Sequence, residues 1–415
     1  MERFAINQHR SLLIAVIGVI IIQLIGILVL TPTSFDSFEY LSISQAILQD
    51  GEYSAPPALN GFDAFPGESP TNMRQPGYPV FLIVFYWLLG SRFLIVQLMQ
   101  LLLNTLSLCL IYMTVKRIFS DRFRDAAILF VVLYFPWLLI SSSILTESLF
   151  TFLLWLFIYS LARYQENLRF LNGMISGVIF GALVLTKPAG LVIGITCSVA
   201  MLLILQWKRF RKLIPPLLLG TLLLVLPWMF RNHMSLGKLT FMPTTSGYNL
   251  WVASLPIGSN AWMEVDEFQV ATRDGYYIDA QSSARFEEFA MQNFESDGVI
   301  RVVTRAIARS ALAWSRFPGS GGRYGLNLIY IGSTLLQLVI LGFAVVGIVN
   351  LRSRVTWLLI MPVLGLTLLL PLTKGLTRYL LPGIPAIALF AGQGFLCVFD
   401  RIQDKLKMNR KLTTG

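Results

Sequence analysis

Residues 11–30 form a run of twenty without a charged side chain, preceded by Arg3 and Arg10. At 1.5 Å of rise per residue, about 20 apolar residues cross the ~30 Å hydrocarbon core of a bilayer. The run is too long for a signal-peptide core and no small-x-small cleavage pattern follows it, so it reads as a retained anchor. Further apolar runs occupy 93–115, 126–144, 147–162, 171–186, 189–206, 213–230, 325–350, 355–373 and 376–399. The expected fold class is an all-α integral membrane protein of about ten transmembrane helices. Composition agrees: only 13% of the 415 residues are charged and the mean hydropathy is +0.67. A soluble domain carries roughly 25% charged residues, so a cytosolic enzyme and a disordered chain are both excluded.

One further run, 78–89, decides the topology. Counted as a span it would invert every later loop; as a re-entrant or interfacial segment it leaves the loops alternating in charge. One side then holds 19 of the 33 basic residues, nearly all in short loops or tails, and the positive-inside rule makes that side cytoplasmic. Both termini are therefore expected in the cytoplasm. Two long extracytoplasmic segments follow, 31–77 and 231–324, the second carrying nine basic and nine acidic residues. The chain divides into a membrane module over 1–230, a cap over 231–324, and C-terminal helices with a basic tail over 325–415. The net charge of +11 belongs to this loop pattern, so no nucleic acid partner is expected. Cys109, Cys197 and Cys397 lie singly inside apolar runs and read as small packing residues. With His9 and His233 alone, no histidine-based metal site can be assembled.

The first long loop concentrates acids: Asp36, Glu39, Asp50, Glu52, Asp63 and Glu68 against Arg74. Ser34 as N-cap predicts a helix just outside the membrane, with Asp36, Glu39, Tyr40 and Ile43 on one face through i+3 and i+4 spacing. Its apolar residues would lay it flat on the bilayer surface. Asp36 in the first turn also suits the helix dipole, which by itself accounts for an acid there. In Arg74-Gln75-Pro76-Gly77-Tyr78-Pro79 the prolines and glycine fix a turn at the membrane boundary. Arg74 is thereby set at headgroup depth, either snorkelling to lipid phosphate or gripping one phosphate bidentately. Glu147 is the single charge in the hairpin between spans three and four. It reads as an ordinary helix start or as a functional ionisable group at the boundary. Lys187, Arg231, Lys374 and Arg378 recur with Arg74 at the outer ends of spans, against the positive-inside trend. Five cations around one face, with acids from two loops, describe a pocket for a lipid-linked phosphate. Arg301, Arg305 and Arg309 form a stripe on an amphipathic helix over 301–314, for which a general lipid-headgroup role is expected.

Taken in order, Asp36…Tyr40…Ala46 with Gly51-Glu52-Tyr53, then Arg74 to Pro79, Thr146-Glu147, Lys187-Pro188-Ala189-Gly190, Pro227-Trp228…Arg231-Asn232 and Arg378-Tyr379…Pro382 resemble the polytopic GT-C glycosyltransferases. The likeness is to the family-39-like, mannosyltransferase-like bacterial group. The resemblance implies transfer of a sugar, normally with inversion, from a polyprenyl-phosphate carrier to an acceptor hydroxyl of a lipid, glycan or protein. It implies that Asp36 sits at the active centre and that Arg74 and Arg378 engage the carrier phosphate. Tyr78, Lys187, Arg231 and Tyr379 fall within the same motifs, Lys374 stands at the start of the last span as a further phosphate contact, and Glu147 and Glu39 are the candidates for a second carboxylate behind Asp36. Some relatives place a second acid directly after the first, where this chain has Ser37. No cofactor is required by the motifs, while a divalent cation is compatible with the carboxylates. A phosphate leaving group departs as an anion, so the protein's part is positioning, cationic stabilisation and removal of the acceptor proton. Two other uses of such a pocket stay open: a lipid-linked sugar flippase or transporter, and a diphosphate-using oligosaccharide ligase or polymerase. The absence of any Asn-x-Ser/Thr site favours a bacterial inner membrane.

Overall fold

The computed structural model describes residues 10–30, 32–33, 35–54, 72–90, 92–117, 119–257, 280–315, 328–351, 353–373, 375 and 377–413. Among these, every regular element is helical. The order is α1 (Arg10–Val29), α2 (Phe35–Asp50), α3 (Gly77–Leu89), α4 (Phe93–Val115), α5 (Asp121–Leu133), α6 (Pro136–Ile140), α7 (Glu147–Glu166) and α8 (Phe170–Thr186). There follow α9 (Ala189–Phe210), α10 (Ile214–Leu236), α11 (Thr245–Ser254), α12 (Ala280–Ser315), α13 (Leu328–Asn350), α14 (Trp357–Leu369) and α15 (Ile384–Thr413). Short 3-10 turns at Arg354–Thr356 and Leu370–Leu372 flank α14, and a third, Thr377–Gly383, leads into α15. Among the described residues, six helical stretches are long and apolar enough to cross a bilayer: Arg10–Val29, Phe93–Val115, Ala189–Phe210, Ile214–Leu236, Arg354–Leu372 and Thr377–Asn409. The protein is an integral membrane protein, and its outward apolar side chains, such as Leu28, Trp87, Leu133 and Phe230, are those a lipid would cover.

The helices pack in pairs, α8 on α10, α13 on α15, α9 on α14 and α4 on α7, with α15 also against α5 and α1 against α4, α5 and α6. Lipid tails are as apolar as leucine, so close backbone approach replaces the hydrophobic drive between such helices. At the α8–α10 crossing a side chain on Gly177 would meet the Leu217 carbonyl oxygen at 2.1 Å, so no larger residue fits there.

Several helix limits differ from the sequence expectation, two of them at identifiable proline and glycine positions. Span three does not run from 126 to 144: α5 ends at Leu133 and Pro136 starts the short α6, because proline cannot donate to the preceding turn. The run 213–230 instead continues past Pro227 to Leu236 and stops at Gly237 in the left-handed conformation (φ 69°).

The segment between α6 and α7, the expected hairpin, is buried within the protein. Ser141, Ser142, Ile144, Thr146 and Glu147 are all inaccessible. Non-helical backbone at this depth must find partners within the protein. Amides from neighbouring helices supply them. Gln100 Nε2 donates to the carbonyls of Ser141 and Ser143, each at 2.7 Å, and Gln97 Nε2 to that of Ser142 at 2.9 Å. Asn104 donates to Gln23 Oε1 and to Ser148 Oγ, and the Ile144 amide donates to the Pro32 carbonyl at 2.7 Å. This lattice fixes the start of α7, and with it Glu147.

Arg305 and Arg309 correct a second expectation. Arg309 is buried and donates to the carbonyls of Ala253 (2.7 Å), Val252 (3.1 Å) and Leu255 (2.5 Å), while Arg305 donates to that of Ser254 and pairs with Asp297. They cap the C-terminal end of α11, where unsatisfied carbonyls attract cations, and are turned away from lipid headgroups. Burial, with Arg305 beside it, draws the Arg309 guanidinium down to about 10. Around them Tyr248, Trp251, Leu255, Phe286 and Ala290 make a small apolar core between α11 and α12.

Replacing Gln100 by leucine removes the amide that donates to the Ser141 and Ser143 carbonyls, though Gln23 and Ser148 still donate to Ser141, and it orphans the Tyr78 hydroxyl by removing its acceptor. Each orphaned group costs about 1–3 kcal/mol. Thermal unfolding of the detergent-solubilised Gln100→Leu protein is expected to fall by several degrees. Leu102→Met, on the lipid-facing side of the same helix, is expected to leave the midpoint in place.

Candidate active site

Asp36 lies in the first turn of α2 and Glu39 one turn on, and together with Tyr40 and Ile43 they share the face turned to α3. That face is buried, Glu39, Tyr40 and Ile43 fully and Asp36 partly, so α2 is held by protein contacts. Its anchor is the apolar cluster of Tyr40, Tyr78, Leu82, Val96 and Ile144, with the Tyr40 and Tyr78 rings edge to face at 5.0 Å. Ser34, the expected N-cap, lies outside the described residues.

Arg74 comes from the turn ahead of α3. Three interactions hold this turn: Gln75 Nε2 donates to the Phe241 carbonyl (2.8 Å), Thr245 Oγ1 to that of Met73 (3.0 Å), and Tyr53 Oη to that of Arg74 itself (2.9 Å). Gly77 lets α3 start against the end of α8, since a Cβ there would lie 2.6 Å from Thr186 Oγ1 and 2.8 Å from the Leu185 carbonyl oxygen. The turn is thereby carried next to Lys187, the residue that closes α8. Arg378 arrives from the far end of the chain, in the 3-10 turn Thr377–Gly383.

These side chains interlock. Arg74 Nη2 donates to Asp36 Oδ1 at 2.8 Å, and the same guanidinium bonds Glu39 Oε2 through Nε. Arg378 Nη2 donates to the other oxygen of the same aspartate, Oδ2. Beside them Lys187 Nζ donates to Glu147 Oε1 at 2.9 Å. Aromatic rings line the cations: Tyr40 lies 5.3 Å from Arg74, and Tyr379 lies 5.7 Å from Lys187 and 5.8 Å from Arg378. Arg74, Arg378 and Lys187 balance Asp36, Glu39 and Glu147, so the cluster is neutral as it stands. Burial would draw the Arg74 guanidinium down, but Glu39, Tyr40 and Asp36 more than reverse this and it stays charged. Burial raises the Tyr40 phenol, and Arg74 opposes that only in part, so the hydroxyl keeps its proton. Among the described residues Arg378 Nε is buried with no acceptor, a donor of the kind an anion would satisfy.

Not every predicted residue joins this cluster. Arg231 sits one layer away, donating to the Tyr53 carbonyl (2.8 Å) and to Asn232 Oδ1 (3.1 Å), between the Tyr53 and Trp228 rings. Tyr78 is set wholly in the packing, its hydroxyl donating to Gln100 Oε1 at 2.6 Å. Lys374 lies outside the described residues. Tyr53, read from the sequence only as part of a motif, and Gln100, not singled out at all, both support the site. The signal for Gln100, and for Gln23, Gln97 and Asn104, was an amide inside an apolar run, where a polar side chain must have a partner. Among the described residues no group of three or more His, Cys, Asp or Glu comes together to hold a metal ion.

A family model described as dolichyl-phosphate-mannose-protein mannosyltransferase matches residues 73–230, the stretch that runs from the Arg74 turn to Arg231. Among solved structures, the apo oligosaccharyltransferase of Archaeoglobus fulgidus superposes with a TM-score of 0.58 at 13% identity, over 98% of this chain and 52% of that one. The chain has the GT-C fold. The same archaeal enzyme, AglB, in complex with an inhibitory peptide and a dolichol-phosphate gives a TM-score of 0.57 at 13% identity, over 97% of this chain and 52% of that one. ArnT from Cupriavidus metallidurans bound to undecaprenyl phosphate gives 0.48 at 11% identity, over 93% and 78%. The chain thus spans about half the length of the archaeal oligosaccharyltransferase. A comparison with curated protein sequences finds no match. Within this GT-C fold the acidic helix after the first span, the proline turn and the start of the last helix converge on one carboxylate.

Lys187→Met is expected to leave Glu147, 2% exposed, as an uncompensated buried charge and to lower stability by about 3–5 kcal/mol. Adding Glu147→Gln is expected to recover most of that loss. A double-mutant cycle in thermal unfolding measures the coupling.

Proposed function

We propose that this protein is a membrane glycosyltransferase that moves a sugar from a polyprenyl-phosphate carrier to an acceptor hydroxyl on the extracytoplasmic face, inverting the anomeric centre. The observation that carries the reading is the Asp36 carboxylate held at both oxygens by Arg74 and Arg378. A carboxylate between two guanidiniums provides the two things the reaction needs within a few ångströms. The cations receive the phosphate, and the spare Nε–H of Arg378 adds a further donor to it. Asp36 accepts the acceptor's proton as the new bond forms on the face of the sugar opposite the departing phosphate. In-line displacement of this kind inverts the sugar in a single step.

In this reading Glu39 keeps Arg74 oriented, and Glu147 does the same for Lys187 while adding to the field at Arg378. Tyr379 and Tyr40 supply flat apolar faces against which the cations, and a sugar ring, can lie. Arg231 belongs to the outer rim that the lipid phosphate passes, Lys374 is a further cation for that phosphate, and Tyr78 supports the turn. The family model's description names a dolichyl-phosphate-linked sugar, and the AglB complex contains a dolichol-phosphate, which supports a carrier of this chemical class. The acceptor is a lipid, glycan or protein hydroxyl. About ten spans, a re-entrant 78–89 and a cap over 231–324 set the site at the outer boundary of a bacterial inner membrane, with both termini in the cytoplasm. The α3 helix, thirteen residues long, reaches about 20 Å, short of the ~30 Å core, which supports a partial insertion.

Asp36→Asn, produced at normal abundance and reconstituted in vesicles with a polyprenyl-phosphate sugar, is expected to lose transfer by about 10²–10⁴-fold while still binding the carrier. Arg378→Gln is expected to weaken carrier binding. Transfer at the unaltered rate by Asp36→Asn would refute the assignment, and a product of retained anomeric configuration would refute the single displacement.

A further inference from the structure

The α9 helix begins beside Lys187 and runs about 26 Å to its break at Gln206, so its far end lies most of a membrane's thickness from the candidate site. There the helix breaks at Gln206, whose backbone is left-handed (φ 61°), and the turn that follows bears Lys208, Arg209, Arg211 and Lys212. Those four side chains and Arg354, from the 3-10 turn that precedes α14, line a cavity of about 610 Å3. Its remaining wall includes Leu205, which is buried, and Ile204, half-buried. No carboxylate lines this cavity, and none of its five cations takes part in an ion pair among the described residues. All five are exposed, and Trp207 and Trp357 stand beside them 62% and 38% exposed. Exposed tryptophans next to apolar helices mark the depth of the lipid headgroups.

Short basic loops orient a membrane protein, and scattered cations suffice for that. Here two separate elements bring five unneutralised charges to one concave site with an apolar wall, which is the form of an amphiphile's headgroup pocket. We propose that this groove binds the headgroup of an anionic membrane lipid carrying two phosphates. A single phosphodiester would neutralise one of the five cations, whereas two phosphates joined through a short linker would neutralise two and offer one to each of the two elements that line the cavity. The lipid would tie the end of α9 to the start of α14, two helices that already pack together. This proposal is independent of the sugar-transfer reading, because none of its residues belongs to the Asp36 cluster.

The test uses the full chain purified in detergent. It is titrated with a lipid of two phosphatidyl groups bridged by glycerol, a one-phosphate anionic lipid with the same acyl chains, phosphatidylcholine, and inorganic phosphate. Retained lipid is read by native mass spectrometry and binding by the fluorescence of Trp207 and Trp357. The two-phosphate lipid is expected to bind most tightly and to raise Tm. Each cation near the surface multiplies such binding by about five-fold, so Arg209→Gln with Arg354→Gln is expected to weaken it by about 30-fold, with Tm in the absence of lipid unchanged. Should the double variant fail to fold, Arg354→Gln alone is expected to weaken binding about five-fold. Equal binding by the variants, or binding of phosphatidylcholine or inorganic phosphate as tight as that of the two-phosphate lipid, would overturn the proposal and leave these residues to orientation alone.

Discussion

Asp36 and Arg378 stand 342 residues apart in the chain, yet one oxygen of the aspartate accepts from Arg378 and the other from Arg74. In a low-dielectric setting an unpartnered charge is costly, so each member of this trio constrains where the other two can be. The constraint reaches far into the fold. It requires α2 to lie against α3, the proline turn to abut the end of α8, and the 3-10 turn before α15 to come alongside α7. Glu147 and Lys187 extend the same arrangement by one more pair, drawn from two further helices. The cluster is thus a meeting point of five segments, each bringing a charge that only the others neutralise.

That neutrality has a chemical meaning for the proposed reaction. A phosphate approaching Arg74 and Arg378 competes with Asp36 and Glu39 for the same donors, and as it takes them it loosens the aspartate. A carboxylate so released is the better proton acceptor, and it is released where the acceptor hydroxyl is needed. Donor binding and base activation are then one electrostatic event. The rigid frame for it is the amide lattice around 141–148, in which side chains of α1 and α4 satisfy backbone groups that water cannot reach.

Polar residues inside apolar runs turned out to carry much of the architecture. Gln23, Gln97, Gln100 and Asn104 look like interruptions when the chain is read as hydropathy, whereas in the fold they join three helices to a buried turn. Arg305 and Arg309 give the opposite lesson. Their i+4 spacing reads as a basic stripe facing headgroups, but the free carbonyls at the end of α11 are nearer and less solvated, and they take both guanidiniums.

The amino-acid sequence by itself determined what is local: which segments are apolar enough to leave water, that Pro76 and Gly77 turn the chain, and that Asp36, Glu39 and Tyr40 share a helix face. Residues 93–115 coincide with α4 because hydrophobicity and helix length are properties of neighbours along the chain. Tertiary structure alone decided the partners. That Arg74 bridges two acids, that Lys187 answers Glu147, that Arg231 sits a layer away and that Tyr78 belongs to the packing all depend on distances between residues tens to hundreds apart. Charge pairing acts through space, and a linear pattern of charges does not specify which of several opposite partners the folded chain will bring within hydrogen-bond reach.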